Sequence, residues 1–321
     1  MRVLLDVDTG TDDAGALWCA ATHPDLELAA VTASWGNSSC DQVVRNTLAV
    51  LAAAGVADVP VHAGAKGPIG PAVTEEGAEL VMGSDALGDV GVEPPPDATA
   101  SNEPGAEAIA RLAREMPGEL TLFALAPLSN VATALDLEPD LPKLLAGLVV
   151  MGGAVGVSGN VTPVGEANIA HDPEAAARVV KAFGRGGRSR PKLVPLDATL
   201  RAPLTRDELE SVERSSLPGA PTMHRIWSAI WSSGVFELGQ ARDEWPCHDL
   251  LALWAAIDPG CFTWSSGPLA VDTGRSAAWG ATVHDRRGLT DGPVWDIALR
   301  VDRDRYRSGL RAWLQGRPAP L

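Results

Sequence analysis

The sequence predicts an α/β fold, an open and mainly parallel central sheet with helices on both faces, plus a helical segment and a short-stranded carboxyl-terminal part. Three observations point there. Strand-length runs that are apolar throughout, beginning with Val3-Leu4-Leu5, indicate strands buried on both faces, as in parallel sheets. These runs alternate with helix-length stretches. Unusual polar residues collect just after the runs, and open parallel sheets bind ligands beyond the carboxyl ends of their strands.

Taken in order, residues 2–7 read as a strand, 14–23 as a helix closed before Pro24, and 28–34 as a second strand. Residues 41–54 form an amphipathic helix ending at Gly55, and 59–63 a short strand. Residues 66–102 are rich in Gly and Pro. The strand–helix rhythm resumes after them, so they read as a loop lying over a site rather than as a linker. A helix at 103–116, a strand at 120–124, a helix at 129–137 and a strand at 147–151 follow. A helix at 173–183 carries Pro173 in its first turn, where no amide is needed, and 192–196 is another strand. From Thr205 the pattern turns helical, at 205–214, 221–233 and 248–257. Residues 269–301 read as short strands with turns at Arg286-Arg287-Gly288 and Asp291-Gly292, and a last helix spans 302–314. No internal repeat is visible, and residues 1–321 read as a single domain.

A chain of 321 residues buries a substantial core. Its 26 basic and 41 acidic residues leave a net charge of −15, and no basic run stands out beyond 185–190, which argues against a nucleic-acid partner. Cys19, Cys40, Cys247 and Cys261 lie at no metal-ligand spacing and read as free thiols of a reducing compartment. No secretory signal and no apolar stretch of membrane-spanning length is present. The expectation is a cytoplasmic enzyme that is not membrane-bound; its size is compatible with a homo-oligomer, a dimer or a tetramer.

The first strand ends in Asp6-Val7-Asp8-Thr9-Gly10-Thr11-Asp12-Asp13. Asp6 and Asp8 fall on one strand face, and Asp12 or Asp13 suits the amino end of a helix. Four carboxylates this close repel one another unless something positive sits among them, and hard oxygen donors favour Ca²⁺ or Mg²⁺. After the second strand come Trp35-Gly36-Asn37, and after the strand at 120–124 come Leu125-Ala126-Pro127-Leu128-Ser129-Asn130. After the strand at 147–151 come Gly152-Gly153, then Asn160, Glu166 and Asn168. Singly, each reads as a turn or capping residue. Jointly they supply the mixed donors and acceptors that a sugar with several hydroxyls requires.

Asp6-x-Asp8 alone resembles the opening of haloacid-dehalogenase-type phosphotransferases. However, Gly10 stands where that pattern has Thr or Val, and the pair Asp12-Asp13 has no place in it. The fuller set resembles the nucleoside hydrolases of the inosine–uridine-preferring type. The matching segments are Asp6-x-Asp8-x-Gly10-x-Asp12-Asp13, Gly36-Asn37, Ala126-Pro127-Leu128-Ser129-Asn130, Met151-Gly152-Gly153, Gly159-Asn160-Val161-Thr162-Pro163, Glu166-Ala167-Asn168, Asp172-Pro173-Glu174-Ala175-Ala176 and His248-Asp249. The resemblance covers Arg2 to about Leu253.

This resemblance implies hydrolysis of the N-glycosidic bond of ribonucleosides to base and ribose. It implies a Ca²⁺ cofactor held by Asp8, Asp13, Asp249 and the backbone carbonyl of Leu125. It makes Asp8 the general base and His248 the general acid for the departing base, and it places Asp12, Asn37, Asn160, Glu166 and Asn168 on the ribose with Met151 beside them. Asp6 orients its neighbours. Trp227 and Trp231, one helical turn apart, offer either stacking for the base or core packing, with Trp35 a third candidate for stacking. A purine is favoured if these rings face the pocket. Two departures stand out: Met82 where His is usual, and Ala167 where Phe is common. The alternatives are a Mg²⁺-dependent phosphohydrolase, which requires basic residues that the strand-end loops lack apart from Arg201, and a non-catalytic ribose- or nucleoside-binding protein, to which Met82 points.

Overall fold

The computed structural model describes residues 1–71, 82–233 and 243–317. Its organisation follows from the apolar strands. Strand β1 (Arg2–Val7) is buried along nearly its whole length and pairs in parallel with β2 (Glu27–Ala33). Next to β2 lies β3 (Val61–Ala63), and on the other side of β1 come β4 (Leu120–Ala124), β5 (Gly147–Met151) and β6 (Lys192–Val194). A separate two-stranded sheet joins β7 (Leu204–Thr205) to β8 (Glu244–Trp245). The tail adds β9 (Phe262–Val271), β10 (Thr282–His284) and β11 (Val294–Val301). Among the described residues the main sheet has the order β10-β9-β11-β6-β5-β4-β1-β2-β3, with β9 alone antiparallel to the rest.

The helices are α1 (Thr11–Thr22), α2 (Cys40–Ala53), α3 (Gly105–Glu115), α4 (Ser129–Leu137), α5 (Leu141–Leu144), α6 (Ala167–His171), α7 (Pro173–Gly186), α8 (Leu196–Thr199), α9 (Arg206–Glu213), α10 (Ala220–Ser233), α11 (His248–Ile257) and α12 (Arg303–Leu314). Strand side chains alternate between faces. Val3, Leu5 and Val7 therefore pack with α1, α2 and α9 to α12 in one core, while Leu4 packs with α3, α4 and α7 in the other. Among the described residues no helix is long and apolar enough to cross a membrane.

Three expectations need correction. Helix α1 begins at Thr11 rather than Ala14, because Gly10 is the cap and Asp13, three residues on, reaches back to accept from the Gly10 amide at 3.0 Å. Asp12 and Asp13 thus lie inside the first turn. The tail is not a short-stranded appendage: β9 and β11 run ten and eight residues and continue the main sheet, leaving only β10 short. Finally, β6 stops at Val194, and Pro195 caps the short helix α8. Of the irregular stretch at 66–102, residues 72–81 lie outside the described part; residues 82–89 form a loop fastened to the amino-terminal turn by Asn46, whose Nδ2 donates to the carbonyls of Thr9 and Asp85.

Helices α1 and α10 meet at Gly15, where a Cβ would lie 2.7 Å from Cζ2 of Trp227. Both residues are buried in the core. Gly15→Ala therefore overpacks a filled interior, and a cost of about 1–3 kcal/mol is expected. Thermal unfolding should show a midpoint several degrees lower; an unchanged midpoint would mean that the two helices separate freely.

Candidate active site

The site forms where β1 gives way to α1. Asp6, on the same face as Leu4, accepts hydrogen bonds from Thr32 Oγ1 at 2.6 Å and Asn130 Nδ2 at 2.8 Å. Asn130 also accepts from the Ala65 amide at 2.7 Å, so it braces three strand ends rather than capping a helix. Asp8 lies just past the end of β1. Its Oδ2 accepts from the Asn37 amide at 2.8 Å, an approach open only because residue 36 is Gly; a Cβ there would sit 1.9 Å from that oxygen. Asp13 accepts from the amides of Asp8 and Gly10 and from Asn37 Nδ2 at 3.2 Å.

A second arc of the site descends from β4 and β5. Asn168 Nδ2 donates to the carbonyls of Leu125 at 2.8 Å and Met151 at 3.3 Å, tying the ends of the two strands together. Glu166 caps α6 and accepts from the amides of Gly153, Asn168 and Ile169 at 2.7, 2.9 and 3.2 Å. Asn160 Oδ1 accepts from the Ala167 amide at 3.0 Å, which fixes the loop entering α6. The third arc is the start of α11, where His248 and Asp249 are both buried. His248 Nδ1 is hydrogen-bonded to Thr199 Oγ1 at 2.7 Å. Cys247 donates to the Asp12 carbonyl at 3.7 Å, and burial pushes its thiol well up, so it is a packed thiol and not a nucleophile.

The electrostatics are those of crowded acids in a low dielectric. Burial raises Asp6 to about 7 against the bonds from Asn130 and Thr32. Burial and then Asp12 raise Asp13 to about 8, and burial with neighbouring carboxylates drives Asp8 and Asp249 well above the usual range. Glu166 is also raised by burial, although three amides oppose the shift. The donors to Asp6, Asp8, Asp13 and Glu166 named here are amides, a hydroxyl and Asn side chains, with no Lys or Arg among them. Arg201, the basic residue nearest in the strand-end loops, donates to the Asp197 carbonyl instead.

A cation resolves this repulsion, and the donors suit one. One oxygen each from Asp12, Asp13 and Asp249 lie within 4.8 Å of one another. Oxygens bound at about 2.3–2.6 Å on opposite sides of Ca²⁺ stand about 5 Å apart. Buried oxygens Asp8 Oδ1 and Asp249 Oδ1 have no hydrogen-bond partner among the described residues, as expected of groups that face an ion. All the donors are hard oxygens.

Asp8, Asp12, Asp13, Asn37, Leu125, Met151, Glu166 and Asn168 are linked by these bonds or share this cluster, and Asp249 joins them through the oxygen cluster. Met82 belongs with them: a Cβ on Gly10 would stand 2.9 Å from its sulfur and 2.7 Å from Asn37 Nδ2. Trp227 is placed differently. Only 1 % exposed, it packs edge-on against Trp18 and Trp245, and its Nε1 donates to the Thr11 carbonyl at 3.1 Å. Trp231, also buried, packs against Trp245. Trp35 donates to Ser129 Oγ and leans on the His171 ring, with centroids 5.7 Å apart. Thr32 and Thr199 are not legible from sequence; a lone Thr inside a strand or a short helix carries no signal until its partner is known.

The inosine-uridine preferring nucleoside hydrolase family model matches residues 3–308. Uridine nucleosidase 1 of Arabidopsis thaliana is 32% identical over 280 residues, covering 85% of this chain and 78% of that protein. The pyrimidine-specific ribonucleoside hydrolase RihA of Enterobacter sp. (strain 638) is 32% identical over 315 residues, covering 95% of this chain and 94% of that protein. The solved structure of the purine-preferring ribonucleoside hydrolase from Gardnerella vaginalis superposes with a TM-score of 0.88 at 27% identity, covering 98% of both chains. With its acidic cluster at the end of β1 and a family match across nearly its whole length, the chain belongs to the inosine-uridine preferring nucleoside hydrolase family.

Proposed function

We propose that this member of the family hydrolyses ribonucleosides at a Ca²⁺ site, with Asp8 as general base and His248 as general acid. The reaction class, cleavage of the N-glycosidic bond of a ribonucleoside by water, follows from membership of the family. The observation that carries the rest is the buried, unpartnered Oδ1 of Asp8 beside the oxygen cluster of Asp12, Asp13 and Asp249. Asp8, Asp13, Asp249 and the Leu125 carbonyl, with Asp12 at the rim, are the groups that would hold the ion. When bound, Ca²⁺ supplies positive charge that acidifies a water and anchors ribose hydroxyls.

Asp8 then takes the proton of the attacking water. Its other oxygen is fixed by the Asn37 amide, so the carboxylate is aimed before substrate arrives. Glycoside cleavage passes through an oxocarbenium-like state, and buried carboxylates favour that positive charge over a neutral substrate. Asn37, Asn160, Glu166 and Asn168 hold ribose hydroxyls. Protonation of the departing base falls to His248, whose ring is oriented through Nδ1 by Thr199. We assign Trp227 to the support of α1 and not to the base, which removes the ground for expecting a purine. Uridine and related pyrimidine nucleosides are the first substrates to expect, given the 32% identity to relatives named for them. The carboxyl-terminal strands extend the same sheet, so we read the chain as one domain. Its net charge of −15 favours free nucleosides in the cytoplasm over nucleic acid as its ligands.

Release of reducing sugar from a nucleoside panel tests this reading. Turnover should be highest on uridine, and Asp8→Asn should lower kcat by about 10²–10⁴-fold while leaving the cation-free protein at least as stable, since a group whose ionisation the core opposes is replaced by a neutral one of the same shape. Equal turnover by the variant would remove Asp8 from the chemistry, and a preference for inosine would overturn the pyrimidine assignment.

The raised acids also fix a pH dependence. Asp6 and Asp13 hold their protons to about 7 and about 8 in the fold, whereas in the unfolded chain an Asp ionises near about 3.9. Their stabilising contribution is thus complete below about pH 4 and is lost as pH rises through those folded values. In chelator, thermal midpoints should fall from pH 5 to pH 8, and added Ca²⁺ should restore them most at pH 8. A midpoint indifferent to Ca²⁺ at pH 8 would refute the cation site.

A further inference from the structure

We infer that Thr282, on the edge strand β10, is a positioning residue for the Glu166 carboxylate. The inference rests on the proposal that Glu166 holds a ribose hydroxyl. Thr282 is buried, and its hydroxyl does two things at once: it accepts from the Ala154 amide at 2.9 Å and donates to the Ala154 carbonyl at 3.0 Å. Ala154 follows Gly152-Gly153, the turn by which the chain leaves β5. Gly153 is the residue whose amide donates to Glu166 Oε2 at 2.7 Å, the shortest of the three bonds to that carboxylate.

Packing makes the link tight. Gly153 has φ +81°, and a Cβ there would lie 2.8 Å from both Oγ1 and Cγ2 of Thr282. The Thr side chain therefore sits directly on the Gly153 backbone, and the amide that reaches Glu166 has no room to turn away. The neighbours of Thr282 grip the far end of the same loop. Ala281 forms an antiparallel bridge to Gly165, adjacent to Glu166, and a Cβ on Gly280 would lie 3.1 Å from the Ala170 backbone in α6. Residues 280–282 thus touch the segment before Glu166, the segment after it, and the amide donor across from it.

The physical reason for such a clamp is the cost of the carboxylate it serves. A buried Glu is raised by desolvation and is kept in place by amides that must be aimed at it. The two glycines that bring the Gly153 amide close have little conformational preference of their own, so the turn depends on contacts from outside it. A hydroxyl that bonds both polar groups of one peptide residue fixes that turn through a side chain 128 positions away. In this way the tail, which lies beyond the motifs matched up to about Leu253, contributes to the ribose pocket.

The test compares Thr282→Val, which keeps the shape and removes the hydroxyl, with Thr282→Ser, which keeps the hydroxyl, assayed on the Ca²⁺-loaded enzyme with the best nucleoside of the panel. A small misplacement costs up to about a hundredfold, so Thr282→Val should lose about tenfold in kcat/KM and Thr282→Ser should recover most of it. Both are assayed well below their melting temperatures. In a Glu166→Gln background Thr282→Val should cause little further loss, because the group it positions is already impaired. A purely structural role would make the two losses multiply in full, and wild-type kcat/KM in Thr282→Val would also overturn the inference. Should the wild type itself release no ribose from any nucleoside, the nucleosidase reading fails instead, a result separate from any difference between the variants.

Discussion

The site is governed by one constraint: several carboxylates must be kept charged, or ready to be charged, inside a folded core. Water is largely excluded from Asp6, Asp8, Asp13, Asp249 and Glu166. An unpaired buried charge is costly, so each needs amides, hydroxyls or a cation. The chain meets that need mainly with backbone. Amides of Asp8, Gly10, Asn37, Gly153, Asn168 and Ile169 point at carboxylates, and at some of these approaches the neighbouring residue has to be Gly. Gly36 beside Asp8 and Gly64 beside Asn130 are the clearest cases, since a Cβ at either would fall 1.9 and 2.3 Å from those side chains respectively. Gly36 serves a carboxylate directly, and Gly64 serves the Asn130 amide that bonds Asp6.

The parallel sheet explains why these groups converge. Its strands β1, β2, β4 and β5 all end at one edge, so the residues that follow them meet across it. Two cores of different composition hold this edge level, one against each face. Trp18, Trp227 and Trp313 lie in the first of these. Trp18, a residue of α1, packs edge to face with both Trp227 and Trp313, its centroid 4.7 Å from that of Trp313. Trp227 Nε1 donates to the Thr11 carbonyl at the start of α1 and Trp313 Nε1 to the Thr22 hydroxyl at its end, so the rings hold the helix that carries Asp12 and Asp13 at both ends. The aromatic residues thus act on the chemistry through the backbone, by support.

Local signals are readable in the sequence and long-range ones are not. Asp6 to Asp13 and Glu166 to Asn168 are legible because carboxylates and amides crowd into short spans whose spacing has few structural explanations. The central strands are legible because burial on both faces leaves a continuous apolar run. Strand β9 is not: only some of its residues are buried and it contains Ser265, Ser266, Gly267 and Pro268, so its first seven residues carry no strand signal. The start of α1 is hidden because Gly10 has no side-chain oxygen to mark it as a cap and four acids crowd the same turn, and its role depends on Asp13 folding back. Trp227 and Trp231 are ambiguous for a different reason: helical spacing puts them on one face without saying whether that face meets solvent, substrate or another helix.

Asn168 illustrates how a polar residue joins the fold to the chemistry. Its amide nitrogen donates to the carbonyls of Leu125 and Met151, the groups that end β4 and β5. Those acceptors are carbonyl oxygens, so the nitrogen must face them and the side-chain oxygen faces the opposite way. A carbonyl oxygen has two lone pairs. The Leu125 carbonyl can therefore be steered by Asn168 on one side and still offer its other lone pair to a hard cation. Asn168 also gives its own amide to Glu166. One side chain and its peptide thus couple the sheet edge, the proposed ion site and the Glu166 carboxylate. A shift in any of the three must be shared by the others, as the proposed joint binding of sugar and metal requires.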